Sequence, residues 1–134
     1  MIMKFGSIVN SIHAMAASVR GGLLSVEAKY RRKAGKRAII VHLSVESVDT
    51  ILPGTLVSFS EASLSARHRI FSAVLAGQKI DFVRNPPKKG DEIEITIGNV
   101  KEKWWVADAG HSRCWGFLDG NQAIWIFADA QRPQ

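Results

Sequence analysis

The side chains that could perform chemistry are few and scattered in this 134-residue sequence. The histidines are His13, His42, His68 and His111, and no two of them stand at a spacing typical of metal ligands. The single Cys114 excludes an internal disulfide, fits a reducing compartment and is more typical of a small packed residue than of a reactive thiol. There is no G-x-S-x-G turn and no phosphate-binding glycine loop. We therefore expect a protein that is not an enzyme and has no cofactor or metal.

Two carboxylates stand close together in the stretch NPPKKGDEIEI, residues 85–95. Glu92 and Glu94 alternate with Ile93 and Ile95, which places both carboxylates on one face of a strand and both isoleucines on the other. A pair of catalytic carboxylates would need a cleft around it. The alternation instead predicts an ordinary solvated strand face over a buried one.

Basic residues are concentrated in one short segment. The net charge is +6, and six of the eighteen Lys and Arg residues fall between positions 29 and 37. They could confer solubility and protect a strand edge, or they could contact phosphate without sequence preference. No ladder of aromatic residues accompanies them, which disfavours base stacking. The candidate DNA-facing or interface residues are Lys29, Arg31, Arg32, Lys33, Lys36 and Arg37.

The elements that position these residues differ between the N-terminus and the rest of the chain. Residues 1–22 form a helical segment in this prediction, because apolar side chains recur at spacings of three and four before Gly21 and Gly22. The apolar face would pack against the protein's own β-domain or against a neighbouring subunit. Its members are Phe5, Ile8, Ile12, Met15 and Val19.

Residues 23–134 are predicted to be β-rich, so the whole chain is one domain with an added helix. Short strands separated by turn signals indicate a small β-sandwich or barrel with one N-terminal α-helix. Such a fold has few helices to cover strand edges, which favours assembly with other chains. Strands are predicted at 23–30, 38–45, 55–60, 68–76, 79–83, 92–97, 103–107 and 123–128.

All four tryptophans lie between positions 104 and 125. Trp104 and Trp105 are adjacent in a strand and must point to opposite faces, so one can enter the core while the other faces solvent or a partner. The turn that contains Lys88 and Lys89 is a candidate for a surface contact. The possible subunit-interface residues are therefore Phe5, Ile8, Ile12, Met15, Lys88, Lys89, Trp104 and Trp105.

Five short features occur in an order that resembles the small head–tail connector proteins of tailed bacteriophages and prophages. The similarity is to the head-completion or stopper class and to the lambda-type head–tail joining proteins, and it covers roughly residues 23–128. The features are Tyr30-Arg31-Arg32, Arg69-Ile70-Phe71, the P-P-K-K-G-D-E-I run from Pro86 to Ile93, Trp104-Trp105-Val106, and Trp115 with Asp119 and Ile124-Trp125-Ile126.

The resemblance implies a non-enzymatic structural protein of the phage neck. Such proteins form homo-oligomeric rings, often of six or twelve copies, between the portal or adaptor and the tail proteins. Double-stranded DNA passes through the ring transiently and without specific contacts. The resemblance also implies a location in the virion, after assembly in the bacterial host cytoplasm. No apolar run has the roughly 18–20 residues needed to cross a membrane, so no membrane partner is expected.

An alternative function follows from the charge alone. A small basic β-barrel could have non-specific nucleic-acid binding as its main role. In that case binding to free DNA or RNA would be tight and salt-sensitive, and it would depend on the basic loop.

Overall fold

Seven antiparallel strands account for the regular structure in the computed structural model, which describes residues 25–46, 67–109 and 113–133. The predicted N-terminal helix of residues 1–22 and the predicted strand 55–60 lie outside these residues. The strands are β1 (Val26–Arg31), β2 (Ala38–Glu46), β3 (His68–Val74), β4 (Glu92–Ile97), β5 (Val100–Val106), β6 (Trp115–Leu118) and β7 (Ala123–Asp129).

Six of the strands close into a barrel. Going round the barrel the order is β1, β2, β3, β7, β5 and β4, and β4 pairs with β1 to complete the circle. β6 adds to the edge of β7 that β5 leaves unpaired. The structure therefore confirms the mainly β prediction and selects the barrel over the sandwich.

The alternation in β4 shows why these sequences form a barrel wall. Ile93 and Ile95 are fully buried in the barrel interior, while Glu92 and Glu94 lie on the outer face. Lys101 Nζ lies 2.7 Å from Glu94 Oε1, and this hydrogen bond holds the pKa of the Glu94 carboxyl below its usual value. Lys103 Nζ lies 3.0 Å from Glu92 in the same way. The two carboxylates therefore form the predicted solvated face, each beside a lysine of β5.

β7 is the most buried strand because both of its faces are covered. Ile124 and Ile126 point into the barrel, whereas Trp125 and Phe127 belong to a second apolar cluster outside it. Strand stagger brings Asp129, at the end of β7, opposite residues of both β3 and β5. Its carboxylate accepts two hydrogen bonds from Arg67, of 3.0 and 2.9 Å, which fasten the segment before β3 to the end of β7.

The connection between β3 and β4 fills one end of the barrel. The strand predicted at 79–83 is wrong, because the Asp81 carboxylate accepts the backbone N–H groups of Val83 and Arg84 and bends the chain into a compact turn. Ile80 and Phe82 on either side of Asp81 are buried with the barrel interior. The interior is thus a packed core, and its end is closed by side chains.

Candidate functional site

A buried carboxylate joins two loops at the filled end of the barrel. Asp91, the aspartate of the P-P-K-K-G-D turn, is 1% exposed. It accepts hydrogen bonds from Tyr30 Oη at 2.6 Å and from Arg32 Nη1, the Lys33 backbone N–H and the Lys88 backbone N–H at 3.0 Å each. A buried carboxylate is tolerated when its oxygens are saturated with donors in this way. We call Asp91 and these four donor residues the Asp91 cluster.

The local sequence explains how the turn approaches the basic loop so closely. Gly90 has φ of +95°, and a Cβ atom built there would lie 2.8 Å from Cδ of Lys33. Glycine is needed because the backbone has a positive φ and because the stem of Lys33 crosses the position where a Cβ atom would lie. The Gly90 N–H donates to the Val106 carbonyl, and the Val106 N–H donates to the Asp91 carbonyl, each at 2.8 Å. These bonds fix the turn to the end of β5.

Arg32 fastens the basic loop to the turn by further contacts. Its guanidinium donates to the carbonyl of Pro86 at 2.8 Å and to the carbonyl of Asn85. The guanidinium carbon also lies 5.2 Å from the ring centre of Tyr30 and 5.8 Å from that of Phe82. The guanidinium of Arg32 therefore makes its hydrogen bonds within the protein, although the sequence analysis placed Arg32 among the cations that could contact a partner.

The other cations of the basic loop separate into distinct positions. Lys29 and Arg31 extend from β1 on the outer face of the barrel, paired in register with the two glutamates of β4. Lys36 and Arg37 are exposed on the hairpin loop between β1 and β2. The exposed cations of the segment from 29 to 37 are consequently divided between the outer face of the barrel and the hairpin loop.

A basic groove with an apolar lining lies beside the Asp91 cluster. It has a volume of about 830 Å³ and is formed by two stretches that are far apart in sequence, 32–39 and 79–91. Ala34, Ile39 and Ile80 contribute apolar surface. The remaining lining residues are Arg32, Lys33, Lys79, Asp81, Asn85, Lys88, Lys89 and Asp91.

The side chains that line this groove carry a net positive charge. Lys33, Lys79 and Lys88 have no ion-pair partner within the described part of the chain, whereas Lys89 lies 3.8 Å from Asp108. The lining has five basic side chains and two carboxylates, and one of these carboxylates, Asp91, is paired with Arg32, so the net charge stays positive. The groove can therefore attract an anion, and its apolar lining can accommodate a carbon skeleton.

The candidate interface residues occupy separate environments. Trp104 is buried, with Nε1 donating to Glu102 at 3.0 Å and the guanidinium of Arg69 5.2 Å from its ring. Trp105 is half-buried and points to the opposite side, as expected for neighbours in a strand. Lys88 and Lys89 lie at the basic groove. Phe5, Ile8, Ile12 and Met15 are outside the described residues.

Cys114 is buried, in agreement with its interpretation as a packed residue. Its Sγ lies 3.5 Å from the carbonyl oxygen of Pro87. Burial is the main cause that raises the pKa of this thiol to about 11, with a smaller contribution from the charge of Asp108. Near neutral pH the side chain is therefore a thiol and a poor nucleophile.

The described residues contain no cluster of three or more histidine, cysteine or acidic side chains that could hold a metal ion. Within 25–46, 67–109 and 113–133 there is also no helix that could span a membrane.

Sequence reasoning missed Asp91 as a cluster centre and Lys79 as a groove residue. The Gly-Asp pair before β4 was a signal for the first, while nothing local to Lys79 indicated the second.

Comparisons with protein-family models, with curated proteins and with solved structures each found no match.

Proposed function

We propose that the protein is a non-enzymatic structural subunit of a tailed-phage neck. It forms a homo-oligomeric ring between the portal side and the tail, and the genome passes through the ring. The observation that carries this proposal is that the short features that resemble head–tail connectors contact one another, although they are far apart in the sequence.

Three of the features meet at the Asp91 cluster. Tyr30 and Arg32 of the first feature donate to Asp91 of the Gly-Asp turn. Val106 of the tryptophan–valine feature exchanges backbone hydrogen bonds with Gly90 and Asp91 of that same turn. Short motifs that stabilise one folded arrangement support a shared fold better than motifs that are scattered over the surface.

The other two features are tied to the barrel in a similar manner. Arg69 forms an ion pair with Glu102 at 3.1 Å and lies over the ring of Trp104. In the last feature, Trp125 packs on Gly116, the residue that follows Trp115. This ordered framework supports a shared connector architecture as the reason for the resemblance.

DNA passage in this proposal takes place between subunits. The barrel interior of each subunit is filled, and Ile80 and Phe82 close one end, so a channel wide enough for a duplex needs several copies around it. The exposed loop cations Lys36 and Arg37 are suited to brief contact with a phosphate backbone.

Electron microscopy and virion proteomics test the proposal. Virions purified from the strain that carries the gene are expected to contain the protein, and the purified protein, alone or mixed with the portal, is expected to form rings. Mass photometry of the same samples gives the number of copies. A protein that is monomeric alone and with the portal, and that is also missing from virions, would refute the neck function.

The alternative function is non-specific nucleic-acid binding as the main role, and the basic end of the barrel is the observation that favours it. Fluorescence anisotropy with a short duplex, measured over a series of salt concentrations, separates it from the first. The nucleic-acid function predicts tight binding. The slope of the logarithm of the binding constant against the logarithm of the salt concentration should fall in magnitude by about one for each phosphate contact removed. Lys36→Ala with Arg37→Ala is the informative variant, because Arg32 is needed for the fold, and Lys101→Ala on the outer face is its control. No binding at low salt would eliminate this function.

A further inference from the structure

We propose that the basic groove binds an acidic peptide segment of a partner protein, with an apolar side chain of that segment on Ile39 and Ile80 and its carboxylates on the surrounding lysines. This peptide site does not depend on the assignment to a phage neck. The groove volume of about 830 Å³ lies within the range of about 300–1,000 Å³ typical of pockets that enclose a ligand.

The basic side chains at the rim of the groove indicate a negatively charged ligand. Lys33 comes from the loop between β1 and β2, whereas Lys79 and Lys88 come from the connection between β3 and β4. None of the three has an ion-pair partner among the described residues. Each can swing its ammonium group over the opening, because their stems are anchored at the rim and their heads are solvated. Three such cations around one depression favour a ligand with several carboxylates over one with a single negative charge.

The lining distinguishes a peptide from a nucleic acid. Ala34, Ile39 and Ile80 provide an aliphatic surface, which suits a leucine or valine side chain. A duplex presents phosphates without an apolar group to fill such a surface, and single-stranded bases prefer aromatic platforms. The described lining of the groove contains no aromatic residue, and the rings of Tyr30 and Phe82 are buried beneath Arg32 and cannot serve as a platform.

The groove is also preorganised, which favours binding to a defined segment. The Asp91 cluster fixes the loop that carries Lys33 to the turn that carries Lys88. Two hydrogen bonds between Gln78 and the backbone of His42, of 3.0 and 2.9 Å, hold the start of the connection that carries Lys79 against β2. A ligand therefore does not have to order the loops that carry these lysines, which lowers the entropic cost of binding.

The test uses the full chain and a fluorescein-labelled peptide of about eight residues with one central leucine flanked by Asp and Glu. We expect saturable binding that becomes about tenfold weaker when serine replaces the leucine, since burial of this side chain is worth a factor of that order. Ala34→Glu places a repelling carboxylate at the exposed groove rim and is expected to abolish binding. Lys36→Glu, on the same loop but outside the groove lining, is the matched control and should retain most of it.

Several outcomes would overturn the peptide site. These are no binding, equal binding of the leucine and serine peptides, insensitivity to Ala34→Glu, or full displacement of the peptide by an equimolar DNA duplex. The last result would assign the groove to nucleic acid. Ring formation and presence in virions are measured independently, so a failure of the peptide site leaves the neck function standing, and the reverse also holds.

Discussion

The hydroxyl of Tyr30 donates a 2.6 Å hydrogen bond to Oδ2 of Asp91, a residue 61 positions away in sequence and almost completely buried. This contact connects the end of β1 to the turn that precedes β4. Because Arg32, Lys33 and Lys88 donate to the same carboxylate, it organises the whole basic end of the barrel.

Asp91→Ala is expected to lower the free energy of unfolding by about 3 kcal/mol, because it leaves several buried or half-buried donors without an acceptor. Urea denaturation followed by tryptophan fluorescence measures the change. Asp108→Ala, which removes an exposed carboxylate 3.8 Å from Lys89, is the control and should change it by less than about 0.5 kcal/mol. Similar stabilities for the two variants would contradict the central role of Asp91.

Tyr30 is the single tyrosine, so its ionisation can be followed directly by ultraviolet absorbance. Burial, followed by the negative charge and the hydrogen bond of Asp91, raises the pKa of Tyr30 far above its ordinary value of about 10. The folded state therefore keeps the phenol proton while the unfolded state loses it, and stability falls as the pH rises above about 10. Tyrosinate absorbance should appear only together with unfolding. Reversible ionisation near pH 10 in the folded protein would disprove the burial of the phenol.

Gly116→Ala is expected to destabilise the barrel by about 2–3 kcal/mol, because the new Cβ would overlap the indole of Trp125, with Cε2 only 2.7 Å away. Gly77→Ala serves as the control. Gly77 has φ of +79° but open space around its Cβ position, so alanine there costs only about 1 kcal/mol of backbone strain. Thermal and urea unfolding should rank the two variants in this order. A larger loss for Gly77→Ala would refute the close packing of Trp125 on Gly116.

Arg67→Ala tests the carboxylate of Asp129. Burial opposes ionisation of Asp129, but hydrogen bonds from Arg67 and from the Gln131 backbone outweigh it and lower the pKa of this carboxyl. A lowered pKa in the folded state gives stability above the unfolded value of about 3.9, which is lost as the pH falls through the folded value. The variant should have a lower urea midpoint than the wild type at pH 7, with a smaller difference at pH 3. Arg132→Ala is the control, and a difference that does not depend on pH would exclude this linkage.

Local patterns predicted those strands whose alternation is clear. The strand 92–97 has the predicted limits because its isoleucines and glutamates alternate strictly, and 38–45 differs by one residue at its end. The prediction at 79–83 failed because an aspartate side chain captured two backbone N–H groups, which depends on the geometry of the turn. β6 was not predicted as a strand, since its four residues are too few for a recognisable period.

The candidate site was predictable only in part. The sequence identified the basic loop and the Gly-Asp turn separately, but neither pattern shows that Asp91 binds Tyr30 across 61 positions. It also could not separate Arg32, which is bonded internally, from Lys36 and Arg37, which project from the loop. That distinction arises from the barrel register, which is a property of long-range pairing.

The closure of the loops on Asp91 means that the charge pattern belongs to the folded state alone. A chain that has not yet formed the barrel carries the same lysines, but on segments that move independently of one another. Only after β1 and β4 have paired do Lys33, Lys79 and Lys88 surround one groove. A partner that binds the proposed peptide site would therefore recognise only subunits whose barrel has already closed.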